Sequence, residues 1–265
     1  MNDVMLPSRR TVVRTAAWTV PVVAVGVSAP AFAASCGTTV YPYTLNWGSV
    51  AYSTVTTGPA ANRVKTGTAT VDGPAGSTPV VATFTSRNVG VDTRTGNNLT
   101  VNSTTYPNVG ATGSTGLLLQ HQDISAGRNT SRQELRIQFD RAVTGLKFTI
   151  TDIDSNNVAG NNRSADFWDR VELSGTRTFT ATSRDVDNVY VIGAGVSGAE
   201  SSTTEGPWRM YDNGVVATDN GDASGNIEVT YVGDVQDITL TYWNARGNGN
   251  QAVFLSTFTF KASGC

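Results

Sequence analysis

The stretch Ala252-Val253-Phe254-Leu255-Ser256-Thr257-Phe258-Thr259-Phe260 decides the class of fold. Read as one strand, it places Phe254, Ser256, Phe258 and Phe260 on one face and Val253, Leu255, Thr257 and Thr259 on the other, because strand side chains alternate with period two. Large rings on one side and smaller groups opposite suit a strand of a two-sheet sandwich. The same period recurs upstream, in Thr66-Gly67-Thr68-Ala69-Thr70-Val71, Ala82-Thr83-Phe84-Thr85 and Lys147-Phe148-Thr149-Ile150-Thr151. β-Branched residues at this spacing fit a pleated, half-buried surface. No run carries apolar residues at helical spacing, so the chain is expected to be all-β.

Strands are predicted over 134–139, 145–151, 169–174, 226–232, 237–243 and 252–260. Asp72-Gly73, Asn213-Gly214 and Gly233-Asp234 punctuate them as turns. Residues 86–115, rich in Gly, Asn and Thr, are predicted as a long loop region. No linker divides the chain, and one antiparallel β-sandwich with a jelly-roll, lectin-like order is expected over 34–265.

The first 33 residues read as an export signal. Ser8-Arg9-Arg10-Thr11-Val12-Val13-Arg14 is followed by an apolar stretch from Thr15 to Val27 and by Ala31-Phe32-Ala33, a small-x-small cleavage site. The apolar stretch is too short to anchor across roughly 30 Å of hydrocarbon. The paired arginines resemble the twin-arginine (Tat) signal, which implies export in the folded state and an extracellular or cell-surface location. Cleavage after Ala33 removes three Arg and one Asp, taking the formal charge from −2 to −4. That charge leaves no footprint for nucleic acid or an anionic membrane. Lys65, Lys147 and Lys261 are the only lysines beside many arginines, which resembles the codon bias of a GC-rich bacterium such as an actinobacterium.

Cys36 and Cys265 stand at the two ends of the mature chain. In an exported protein an even pair reads as a disulfide. Closing so long a loop stabilises by about 4–5 kcal/mol in the chain-entropy picture. It requires the first and last strands to be neighbours. No apolar tail or LPxTG-like motif follows the last strand, so a covalent wall anchor of that kind is not expected.

The segment Thr149-Ile150-Thr151-Asp152-Ile153-Asp154-Ser155-Asn156 leads into a polar loop that ends at Asp166-Phe167-Trp168-Asp169. Asp152, Asp154, Asn156, Asp166 and Asp169 are candidate hard-oxygen ligands for calcium, which takes six to eight of them. The EF-hand pattern fails at Asn157 and Arg163. The competing reading makes these residues turn formers that satisfy backbone N–H groups. His121 is the only histidine, which excludes a zinc site built on several. No catalytic residue is assigned. A pair of carboxylates could serve a glycosidase only at the right separation across a cleft.

Trp208, in Glu205-Gly206-Pro207-Trp208, and Trp243, in Trp243-Asn244-Ala245-Arg246, lie in loop-like sequence. An indole beside Asn244 and Arg246 is a candidate sugar-stacking plate. The competing reading buries each ring in the core.

Residues 141–154 (RAVTGLKFTITDID) and 169–173 (DRVEL), with 237–242 (DITLTY) and the final strand, resemble the lectin-like non-repetitive domains of streptococcal fibrillar adhesins and related bacterial surface proteins. The resemblance implies a β-sandwich and a non-enzymatic role in binding extracellular carbohydrate or a surface glycoprotein. Two other functions fit the composition. One is a surface component that self-associates through exposed strand edges. The other is a secreted carbohydrate-active enzyme.

Overall fold

A computed structural model of the chain describes residues 39–59, 63–90, 97–101, 109–112, 115–122, 127–156, 166–175, 177–184, 190–211 and 222–264. They belong to a unit spanning Gly37–Cys265. Sixteen strands are described. They are β1 (Val40–Leu45), β2 (Ala51–Thr57), β3 (Val64–Val71), β4 (Val80–Gly90), β5 (Thr100–Val101), β6 (Leu117–Gln122), β7 (Ser131–Thr151) and β8 (Ser155–Asn156). The rest are β9 (Phe167–Ser174), β10 (Phe179–Ser183), β11 (Val191–Ile192), β12 (Arg209–Met210), β13 (Ile227–Tyr231), β14 (Asp234–Asn244), β15 (Asn250–Leu255) and β16 (Phe258–Ser263). Among the described residues no helix is long and apolar enough to cross a membrane.

Among the described residues every ladder between these strands is antiparallel, and the fold is an all-β sandwich. Strand β7 belongs to both layers. Its first half pairs with β4 and β14 in the order β2-β3-β4-β7-β14-β9-β8. Its second half pairs with β13, β16 and the end of β15. The sequence reading split this element in two, at 134–139 and 145–151. The chain instead runs through as one strand of 21 residues. Gly145, at φ 60, makes this possible. Leu135, Ile137, Phe139 and Val143 face the core before it, and even residues Leu146, Phe148 and Ile150 face the core after it. A positive φ costs glycine little, and one extra residue inverts the face that the strand presents.

The stretch 252–260 behaves in the opposite way. It is two strands, β15 and β16, broken at Ser256-Thr257. The break also shifts the alternation by one, so Val253, Leu255, Phe258 and Phe260 all enter the main core. Phe254, expected beside Phe258, packs instead in a small cluster with Leu118. Three hydrogen bonds hold the break. The Trp47 indole N–H donates to the Ser256 carbonyl (2.9 Å), the Thr149 N–H donates to Ser256 Oγ (2.8 Å), and the Ser256 N–H donates to the Thr149 carbonyl (2.9 Å). Phe148, Phe84 and Trp47 surround Phe258 at ring separations of 4.6, 6.0 and 6.0 Å.

The terminal strands are neighbours, with Val40 opposite Ser263 and Leu45 opposite Phe258. That is the placement an end-to-end disulfide needs, although Cys36 and Cys265 lie outside the described residues. The loop region predicted over 86–115 begins later than expected, because β4 continues to Gly90. β2, β3 and β4 form a simple meander, while β4/β7, β7/β14 and β1/β16 join strands distant in sequence.

Candidate functional site

Strand β9 alternates two chemistries. Asp169, Val171 and Leu173 point into the sandwich, while Trp168, Arg170 and Glu172 share the opposite face. The neighbouring β14 is in register, with Trp243 opposite Arg170, Tyr242 opposite Val171 and Asn244 opposite Asp169. On the other side of β9, Trp208 makes an isolated bridge to Val171. Parity then sends the Trp208 ring inward with Val171 and turns Pro207 and Arg209 outward. Trp208 is 1% exposed, packs on Phe179 at 5.7 Å and sits against Gly195. Its expected role as a sugar plate is therefore corrected to a core residue.

The outward residues line a groove of about 430 Å³ between β14, β9 and the turns at Gly127-Arg128 and 197–207. Its walls carry Trp168, Trp243, Arg128, Arg170, Glu172, Glu200 and Arg209. The guanidinium of Arg128 lies over the Trp243 ring at 5.7 Å, and its Nε donates to Glu172 at 2.9 Å. Trp168 lies between Arg246 at 4.9 Å and Arg170 at 5.9 Å. Arg170 is almost fully buried; its Nε donates to Glu200 and a terminal nitrogen donates to the Asp169 carbonyl, both at 2.8 Å. Arg209 donates to the carbonyls of Glu200, Ser202, Glu205 and Pro207, which pins the 200–207 turn as the groove wall. Burial first, and then the nearby Arg170, hold its guanidinium below the usual value.

Trp243 lines the groove but is itself only 2% exposed, and Arg246 lies over Trp168 outside the lining. Asn244 does not face the groove. It is buried, and its Oδ1 accepts the N–H groups of Trp168 (2.9 Å) and Arg246 (3.0 Å), so it positions the rim. Sequence reasoning missed Arg128, Arg170, Glu172, Glu200 and Arg209 as groove residues. For three of the lining groups a signal was present, since Trp168, Arg170 and Glu172 recur at period two, the last two inside the strand predicted over 169–174 and Trp168 immediately before it. Arg128 and Glu200 carried none, because they arrive through loops.

The aspartates form a buried hub behind this groove. Asp169 accepts the Tyr242 hydroxyl (2.9 Å) and the Asp154 N–H (3.2 Å). With its amide oriented to satisfy both neighbours, Gln251 donates to Asp169 at 3.0 Å and accepts the Asn244 N–H at 3.0 Å. Burial pushes the Asp169 carboxyl well above its ordinary value, the Asp152 charge adds to this, and the hydrogen bonds from Asp154 and Tyr242 oppose it. Burial, followed by the Asp169 charge, raises the Tyr242 hydroxyl as well. Asp152 adopts a positive φ of 67, which Asp tolerates better than most residues. Asp166 is buried with Arg246 at 3.9 Å. Asn156 continues β8 opposite Phe167.

Asp152, Asp154, Asp166 and Asp169 are therefore gathered at one end of the sandwich. Among the described residues, however, no three acidic, His or Cys side chains converge as a metal site. The lone pairs of Asp169 meet protein donors, which is the turn-and-network reading of these residues. Residues 157–165 of the intervening loop lie outside the described residues. His121 is fully buried, packs edge-on to Tyr242 at 6.1 Å and has Nε2 3.4 Å from Ser131 Oγ.

A second groove of about 500 Å³ lies on the other layer, lined by Lys147, Thr149, Arg184, Glu228 and Thr259. Its charges neutralise one another. Glu228 accepts from Lys147 at 2.7 Å and from Arg184, and these two outweigh burial to hold its carboxyl below the usual range.

Comparison with family models, curated proteins and solved structures finds no match to this chain.

Proposed function

We propose that this chain is a secreted or surface-associated, non-enzymatic binding protein, exported by the Tat route, whose groove over β9 and β14 holds extracellular carbohydrate, free or on a glycoprotein. The observation that carries this reading is the outward row of Trp168, Trp243, Arg128 and Glu172 around a cavity of about 430 Å³, within the size range of small-ligand sites. Aromatic edges beside charged hydrogen-bonding groups match the mixed apolar and hydroxyl surface of a sugar. Both groove carboxylates are ion-paired, Glu172 with Arg128 and Glu200 with Arg170, and Asp169 faces the core. The arrangement therefore favours holding a ligand over cleaving it. Calorimetric titration of mature protein with a panel of soluble polysaccharides tests the reading. At least one is expected to bind, and Trp168→Ala to weaken it more than tenfold while leaving the far-ultraviolet circular dichroism unchanged. No binding across the panel, or binding indifferent to Trp168, overturns it.

A second reading, self-association, rests on β2. This edge strand (AYSTVTT) carries no charge or proline, pairs among the described residues only with β3 and exposes Val55. Unprotected edges invite pairing with another chain. Concentration-dependent sedimentation that is abolished by Val55→Lys would support it, and a constant monomer mass would remove it.

A further inference from the structure

Resting on that reading, we infer that the groove selects acidic polysaccharides, those carrying carboxylate or sulfate groups, over neutral ones. Guanidinium groups already cover the rings. Arg128 lies over Trp243, and Arg170 and Arg246 flank Trp168. A neutral sugar would have to displace a guanidinium from an indole to stack on it. An anion displaces nothing and meets the guanidinium edges.

Two of these arginines are presented to a ligand. Arg128 and Arg246 keep 40% and 42% of their side-chain surface exposed. Each has an indole under the guanidinium and a nearly buried carboxylate on the Nε side, but only Arg128 donates a hydrogen bond to its carboxylate through Nε. Arg128 has Trp243 and Glu172 at 2.9 Å, while Arg246 has Trp168 and Asp166 at 3.9 Å. Among the described residues, the terminal nitrogens of neither have a hydrogen-bond partner. A guanidinium held through Nε and its face offers its two terminal N–H groups as a fork that matches a carboxylate or sulfate. Preorganising the fork removes much of the entropy cost of binding. Arg128 lines the groove, whereas Arg246 lies over Trp168 beyond the lining, so the Arg128 fork is the one that meets an anionic group in the groove.

Net charge does not draw polyanions to this chain. The mature formal charge is −4 once the three Arg and one Asp of residues 1–33 are removed. Affinity for a polyanion must then come from a local arrangement and not from net charge.

The test titrates mature protein with polygalacturonate and heparin as acidic probes and with dextran and mannan as neutral ones, at low and at physiological salt. The variants are Arg128→Gln, Arg246→Gln and the control Arg136→Gln, which removes an exposed pair with Asp237 on the same layer. At least one acidic probe is expected to bind and both neutral ones to fail. Arg128→Gln should weaken binding tenfold or more, with the control unchanged. Binding of dextran or mannan that the arginine variants do not affect would leave the carbohydrate reading intact and overturn this inference. Acidic binding that survives Arg128→Gln would also overturn it, and failure of every probe would overturn both.

Discussion

Trp208 and Val171 exchange two backbone hydrogen bonds, N–H to carbonyl at 2.9 and 3.1 Å, and this single bridge sets which way the Trp208 indole points. The ring enters the core and lies so close to Gly195 that a Cβ there would sit 2.3 Å from it. Gly195 also has φ 70. Gly195→Ala should therefore cost at least about 2 kcal/mol from overpacking and backbone strain together. For a chain of this size that is a fall in Tm of roughly 4–8 °C. A thermal melt that matched the parent would mean that the loop carrying Gly195 yields freely.

Asp169 makes stability depend on pH in an unusual direction. Its folded carboxyl titrates well above the ordinary 3.8. As pH rises above that value the unfolded chain gives up this proton while the folded one keeps it, so the contribution to stability declines until the folded pKa is passed. Asp169→Asn keeps an acceptor for Tyr242, loses the oxygen that accepts the Asp154 N–H and cannot ionise, so a constant cost is added at every pH while the pH-dependent part disappears. Its stability relative to the parent should improve by up to about 1.4 kcal/mol for each pH unit within that window. Urea unfolding of both proteins from pH 4 to pH 8 reads this directly, and parallel curves would refute a raised Asp169.

Calcium should not stabilise the protein. The oxygens of Asp169 already face Tyr242, the Asp154 N–H and Gln251. A cation bound only by the folded state would add about 2.7 kcal/mol at a hundredfold excess over its Kd. Melts in EDTA and in millimolar calcium are expected to coincide. A calcium-dependent rise, lost in Asp152→Asn, would show that these aspartates do complete a metal site.

Ser256→Ala should destabilise by about 1–3 kcal/mol, because it leaves the buried Thr149 N–H without the hydroxyl it donates to. Ser256→Thr retains the oxygen and should recover part of the loss. Equal stability of all three proteins by chemical denaturation would mean that the break between β15 and β16 is held by its backbone alone.

Reduction of the protein should lower its Tm. Val40 lies opposite Ser263, and the Gly264 N–H donates to the Thr39 carbonyl at 3.2 Å, so the two chain ends emerge together. A bond between Cys36 and Cys265 would then contribute up to about 4–5 kcal/mol through the unfolded state. Intact mass with and without reductant, after thiol alkylation, distinguishes a closed pair from two free thiols.

The all-β class was legible in the sequence, as were several strand cores, because period-two alternation of β-branched and aromatic residues is a local property of the chain. Strands β9, β13 and β14 lie close to where the alternation puts them. Even half of the groove was present as Trp168, Arg170 and Glu172 at period two. What alternation cannot reveal is where its phase changes. Gly145 inverts the phase inside one strand, and Ser256 shifts it between two. Both follow from strands paired to partners far away in sequence. The same limit governed the tryptophans, since Trp208 and Trp243 look alike in sequence. A bridge to Val171 sends one into the core, and register with Arg170 turns the other towards the groove. Only tertiary pairing could bring Arg128 and Glu200 to the same surface, and only burial could convert calcium-like aspartates into hydrogen-bond acceptors. Composition and period are written residue by residue, whereas facing and burial depend on which distant strand lies alongside.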